Sequence, residues 1–141
     1  SELGTGMRLG EALAEYARSV GSSCGLTVHL VLEESPARLS RSIEVELLRI
    51  AQEAITNTRK HAEARTLWVT LRVDPPNAYL RIADDGLGLA GRSGSDHFGL
   101  DVMRERSTRI GATLTVRPRE SGGTIVEATL GISPKDDARL P

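Results

Sequence analysis

Ala78-Tyr79-Leu80-Arg81-Ile82-Ala83-Asp84-Asp85-Gly86-Leu87-Gly88 is the stretch on which the reading of this chain turns. Its first seven residues carry the pattern of an apolar strand, and Asp-Gly after such a run is ordinarily the turn of a hairpin. No second strand returns here. The chain passes instead through Ala90-Gly91-Arg92-Ser93-Gly94-Ser95-Asp96-His97-Phe98-Gly99 into a helical pattern from Leu100 to Ile110. Asp84 is therefore expected at a strand terminus that opens into a loop and then a helix.

Working outward, Leu9, Leu13, Ala17 and Val20 recur at helical spacing, and Gly21 to Gly25 reads as the stop of that first helix. Leu26 to Leu32 alternates as a strand, with His29 on its outer face. After the loop 35–40, Ser40 or Ser42 is placed to cap a long helix from about Ile43 to His61, and Glu44 and Glu46 suit its N-terminal dipole. Leu47, Ile50, Ala51, Ala54, Ile55 and Thr58 form its buried stripe, while Glu53, Asn57, Lys60 and His61 form a separate polar one. Strands are expected at Thr66–Val73, Ala78–Asp84, Thr113–Val116 and Thr124–Leu130, the first two joined by the turn Asp74-Pro75-Pro76-Asn77.

A length of 141 residues suits one domain, read here as 1–132 followed by a tail, 133–141. A hydrophobic share of 39% against 26% charged residues is ordinary globular usage, which suggests neither disorder nor a membrane protein. The net charge is −1 and the basic residues are scattered, so direct nucleic-acid binding is not expected. The single cysteine, Cys24, cannot close an internal disulfide and is read as a packing residue in a cytoplasmic protein. No apolar run approaches the roughly 20 residues that span a bilayer.

On the long helix, spacings of four and of seven to eight residues aim Glu53, Asn57, Lys60 and His61 at a common ligand. Such a set suits a metal nucleotide. Mg²⁺ takes hard oxygen ligands at about 2 Å, few of them from protein, and Asn57 offers an oxygen without added negative charge. Glu53 is placed to hold or deprotonate a water beside the metal, and Lys60 and His61 to offset phosphate charge. An exposed helix face explains the same four residues equally well.

Asp84 tips the balance. A carboxylate buried at a strand end accepts from the amino group of adenine, whereas guanine presents an oxygen acceptor there and is rejected. Gly86 and Gly88 would let the backbone approach the base and take unusual dihedrals. The loop to Gly99 would cover the triphosphate, and the amides of the next helix, beginning at Leu100, would meet phosphate oxygens. Thr124, after Gly122-Gly123, would complete the hydrogen bonding around the base, although a turn before a β-former is the simpler local reading. Arg104 and Arg106 read as solvated helix residues rather than phosphate ligands.

Gln52-Glu53-Ala54-Ile55-Thr56-Asn57 with Lys60-His61-Ala62, then Asp84-x-Gly86-x-Gly88, then His97-Phe98-Gly99-Leu100-Asp101-Val102-Met103-Arg104-Glu105-Arg106, then Gly122-Gly123-Thr124 together resemble the GHKL ATPases. Within them the chain is similar to histidine-kinase catalytic domains of the type paired with LuxR-like response regulators, including nitrate/nitrite sensor kinases. Each box alone is weak, but four in order on the expected elements are specific.

The resemblance implies the Bergerat fold, a two-layer α/β sandwich whose mixed sheet is covered on one face by helices. It implies ATP and Mg²⁺ as ligands, with Asn57 on the metal, Glu53 beside it, Asp84 on adenine, and Gly86, Gly88, His97, Gly99 and Leu100 along the nucleotide loop. It implies phosphoryl transfer to a histidine on a separate helical dimerisation domain, relay to a LuxR-like regulator, and a homodimeric full-length kinase, membrane-bound, with this portion cytoplasmic. None of His29, His61 or His97 sits in an acceptor motif, so the chain itself is expected to bind ATP without phosphorylating itself. Asp85 stands where the family commonly has asparagine, and the segment from Gly88 to Gly99 is short. Two other readings compete: an anti-sigma-type serine kinase, against which the Met103-Arg104-Glu105-Arg106 segment argues, and a binding module whose pocket has decayed, against which Glu53, Asn57, Asp84, Gly86 and Gly88 argue.

Overall fold

A computed structural model describes residues 6–61, 63–88 and 99–131, the side chains of residues 60 and 61 excepted. The elements are α1 (Leu9–Cys24), β1 (Thr27–Glu34), α2 (Arg41–His61), β2 (Thr66–Asp74), β3 (Asn77–Asp84), α3 (Leu100–Arg109), β4 (Thr113–Pro118) and β5 (Thr124–Leu130). The strands form one sheet in the order β1-β2-β3-β5-β4. Only β1 and β2 run parallel, since α2 lies between them in sequence; the other three pairings are antiparallel. The fold is thus the expected α/β sandwich with a mixed sheet.

One face of the sheet carries the core. Leu67, Val69, Leu71 and Val73 of β2, Ala78, Leu80 and Ile82 of β3, and Val126 and Ala128 of β5 pack with the apolar stripes of the helices. On α2 that stripe is the one read from the sequence: Leu47, Ile50, Ala51, Ala54, Ile55 and Thr58 are all buried. Fully burying each Leu or Ile removes enough apolar surface from water to contribute about 1.5–3 kcal/mol. The opposite face is polar. There Glu127 accepts from the Tyr79 hydroxyl and from Arg117, and His29, exposed as expected, stacks on Trp68 at 5.9 Å with Arg119 over the indole. Burial and the bond to Glu127 push the Tyr79 phenol far above its ordinary range; for Glu127 burial works upward, but donation from Tyr79 and Arg117 outweighs it and holds the carboxyl low.

Several boundaries differ from the sequence reading. α1 does not stop at Gly21 but continues to Cys24, ending on Gly25 at φ 72°, whose N–H bonds to the Gly21 carbonyl. Gly21 is buried inside the helix because Val28 packs against it, leaving no room for a side chain. The longer helix carries Cys24 round to solvent, so it is exposed rather than packed. β1 runs from Thr27 to Glu34, later than read, and α2 starts at Arg41, with Ser40 accepting from the Ile43 N–H. Ser40 is thus the capping hydroxyl, and Ser42 lies within the helix. Glu44 is buried against Arg38, and Glu46 reaches across to Arg106 of α3, so Arg106 is an interhelix tie and not a freely solvated residue. α3 ends at Arg109 and β4 extends to Pro118, while β5 spans the residues expected. Among the described residues no helix is long and apolar enough to cross a membrane.

Candidate functional site

The strand register decides what meets at the end of the sheet. Ala83 pairs with Ile125, and because successive side chains alternate between faces, Asp84 and Thr124 both turn inward toward the helices. Leu100 and Met103 of α3 and Ala54, Asn57 and Thr58 of α2 close over them, with Ile82, Val116 and Val126 as the floor of a narrow cleft. Its walls are mostly apolar. Four polar side chains line it from three elements: Asp84, Asn57, Thr58 and Thr124, exposed by only 4%, 4%, 3% and 3%.

A buried carboxylate costs several kcal/mol unless donors satisfy it. Asp84 has two: its Oδ1 accepts from the Gly86 N–H at 2.8 Å and its Oδ2 from the Thr58 hydroxyl at 3.1 Å. Thr124 Oγ1 is buried without a hydrogen-bond partner among the described residues. Few native hydroxyls are left so. The cleft therefore offers a carboxylate acceptor and an unsatisfied hydroxyl on one rim, a pair that suits a ligand edge carrying an amino group.

The residues expected on the phosphate side are placed differently from one another. Of the polar stripe aimed at a common ligand, Asn57 is buried beside Thr58, because α2 turns that face into the cleft, and the alternative of an exposed helix face does not hold for it. Glu53 lies one turn earlier against the start of α3, where a Cβ on Gly99 would meet its Cγ at 2.4 Å. Gly99 also sits at φ 71° as the N-cap of α3, a left-handed conformation that disfavours side chains. The backbone of Leu100 opens that helix, whose first N–H groups lack intrahelical acceptors. Gly88 takes φ 74° as expected. Gly86 does not share that left-handed conformation and contributes its N–H instead. Lys60 and His61 end α2, but their side chains, like all of His97 and the loop 89–98, lie outside the described residues.

Two features of the rim were not visible in the sequence. Asp85 Oδ1 accepts from both the Arg65 and Thr66 N–H groups at 2.9 Å, pinning the start of β2 to the end of β3. Partial burial raises the Asp85 carboxyl, but these amides and the Thr66 hydroxyl outweigh it and hold it below the ordinary aspartate range. A depressed folded-state pKa stabilises the fold fully above the unfolded value of about 3.9 and stops doing so as pH falls through the folded value. Asp85→Ala is therefore expected to cost about 1–2 kcal/mol at pH 7. Asp85→Asn, whose amide oxygen still accepts both N–H groups, should cost less and should flatten the acid limb below about pH 4. Urea unfolding across pH checks this; an Asn variant as acid-sensitive as the parent would refute it. The second feature is Gly123, where a Cβ would run into the backbone of Asp84.

Residues 42–134 match the family described as histidine kinase-, DNA gyrase B-, and HSP90-like ATPase. The chain is 35% identical over 104 residues, 72% of its length, to the nitrate/nitrite sensor protein NarQ of Escherichia coli, of which it spans only 18%. Among solved structures, the histidine kinase domain of a blue-light activated kinase from Erythrobacter litoralis superposes with a TM-score of 0.68 at 19% identity, covering 88% of this chain and 61% of that one. The ATP binding domain of PrrB from Mycobacterium tuberculosis gives 0.65 at 19% identity, with 90% and 96% covered. The match at residues 42–134 takes in α2, the Asp84 strand end, α3 and Thr124, and the chain belongs to the histidine kinase-, DNA gyrase B-, and HSP90-like ATPase family.

Proposed function

We propose that this chain is the ATP-binding catalytic domain of a sensor histidine kinase, which holds Mg·ATP and presents its γ-phosphoryl group to a histidine on a separate helical dimerisation domain. The observation that carries the reading is the inward pair Asp84 and Thr124 in one cleft, the first a carboxylate acceptor and the second a buried hydroxyl without a partner among the described residues. In this reading Asp84 accepts from the adenine amino group and Thr124 completes the hydrogen bonding of the base edge. Gly86 holds the carboxylate through its N–H, and Gly88 and Gly99 shape the backbone on either side of the loop that contains His97. The N–H groups at Leu100 face phosphate oxygens, where a helix N-terminus favours negative charge.

Asn57 fits Mg²⁺ through its chemistry: a neutral amide oxygen, buried in the same cleft, next to Glu53. The ion, when bound, neutralises phosphate charge and orients the terminal phosphate for in-line transfer. Glu53 orders water on that side, and Lys60 and His61 offset the remaining charge. We further assign residues 1–132 to the domain and 133–141 to a tail. The acceptor histidine, dimerisation and any membrane anchor belong to other parts of a full-length homodimeric kinase, with this portion in the cytoplasm, and the phosphoryl group passes on to an aspartate of a LuxR-like response regulator.

Asn57→Ala tests the metal assignment. Titration of an ATP analogue with and without Mg²⁺ should show at least a roughly tenfold gain from the ion in the parent, since an ion-bridged phosphate gains charge-assisted contacts, and almost none in the variant. A variant that keeps the full Mg²⁺ dependence would remove Asn57 from the metal.

A further inference from the structure

We infer that Thr58 is a positioning residue that sets base selectivity, by orienting the Asp84 carboxylate; the inference rests on Asp84 being the base contact. Thr58 follows Asn57 on α2 and is itself buried. It ends a stripe whose other members, Leu47, Ile50, Ala51, Ala54 and Ile55, are all apolar, so packing alone gives no reason for a hydroxyl there. A threonine inside a helix ordinarily satisfies itself by donating to the carbonyl four residues back, and Thr58 has that option, with Ala54 O at 3.3 Å. It nevertheless lies nearer to Asp84 Oδ2, at 3.1 Å, across from another element.

A hydroxyl has one proton, and an ionised carboxylate only accepts. Gly86 donates to one oxygen of Asp84 and Thr58 to the other, so two donors, one from the bend after β3 and one from α2, fix the plane of the group. What remains for a ligand is acceptor capacity alone, facing the cleft. That edge rewards a purine bearing a 6-amino group and offers nothing to one without it. Without the Thr58 proton, Asp84 Oδ2 loses its protein donor and the carboxylate is free to turn, so the reward for the amino group falls. Because Thr58 and Asn57 are neighbours on one rigid helix, the same bond fixes the base end of the cleft relative to its phosphate end.

The test compares two nucleotides that differ only in the amino group, Mg·ATP and the Mg²⁺ complex of purine riboside triphosphate, titrated against the chain and its variants. Thr58→Val keeps the shape and removes the proton. It is expected to weaken ATP roughly tenfold, as for a lost hydrogen bond to a charged group, with the purine analogue nearly unchanged, so that the ratio of affinities falls roughly tenfold. Thr58→Ser should keep the parental ratio. A purely structural role for Thr58 would weaken both nucleotides alike; that result, an unchanged ratio in the Val variant, or a collapsed ratio in the Ser variant would overturn the inference. Should Thr58→Val fail to fold by thermal denaturation, Thr58→Ala gives the same reading. Asp84→Asn is run alongside. If it leaves the ratio unchanged, the base reading itself is wrong; if it removes the ratio and Thr58→Val does not, only the role of Thr58 falls.

Discussion

Asp84→Asn is expected to weaken ATP binding on the order of a hundredfold or more while leaving the fold intact. Asn is isosteric with Asp, and its amide oxygen can still take the Gly86 N–H that Asp84 Oδ1 accepts now. The amide nitrogen then occupies the place of Oδ2, where Thr58 can turn to accept from it, since its proton has the Ala54 carbonyl as an alternative acceptor. Toward the ligand, however, an acceptor has become a donor. In the proposed pose it would face the amino group of adenine, so a charge-assisted bond would be lost and two donors would confront each other in the buried cleft. Together these cost about 3 kcal/mol or more, which is the origin of the hundredfold figure. Guanine, with an oxygen at that position, loses its penalty, so the preference for ATP over GTP should shrink or reverse. Calorimetric titration with both nucleotides decides the matter, and an unchanged ATP affinity would take Asp84 out of base recognition.

The largest effect on stability is expected from Gly123→Ala. Gly123 sits at φ 102°, and a Cβ built there would lie 1.8 Å from the Asp84 carbonyl oxygen and 2.6 Å from its carbonyl carbon. The obstacle is backbone at the join of β3 to the site, so no side chain can swing aside. Strain from the positive φ and from forced overpacking each amount to about 1–3 kcal/mol. A loss of about 3 kcal/mol or more lowers the melting temperature of a domain of this size by about 10 °C. The same displacement moves Asp84 and Thr124 apart, so residual folded protein should also bind ATP poorly. A melting curve matching the parent within a degree or two would contradict the close approach.

The two glycine-rich elements show how unevenly such features could be foreseen. Gly21 looked like a helix stop, because a glycine after an apolar-periodic run usually is one, yet its missing side chain serves the contact with Val28 and the αL cap falls on Gly25. Cys24, expected to pack, is exposed because the helix continues through Gly21. Gly122-Gly123 looked like an ordinary turn, and nothing in its spacing announces that it rests on Asp84. For Asn57 the spacing leaves a ligand-facing stripe and an exposed helix face open, because helical periodicity reports which residues share a face and not what covers it; the structure buries it. Where periodicity was strong and the contact local, as in the buried stripe of α2 or the capping by Ser40, the reading and the structure coincide.

The chain by itself determined the order of its elements, the buried stripe of α2 and the candidate residues Glu53, Asn57, Asp84 and Thr124, because each is written in local spacing and residue type. Only the tertiary structure decided that Thr58, Asp84 and Thr124 meet. That depends on β5 inserting between β3 and β4 and on a register that turns Asp84 and Thr124 to the same face. A slip of one residue in that pairing would send Thr124 to the opposite face from Asp84. Register of this kind is fixed by burying the apolar faces of strands far apart in sequence, a quantity that belongs to the packed whole and to no single stretch of it.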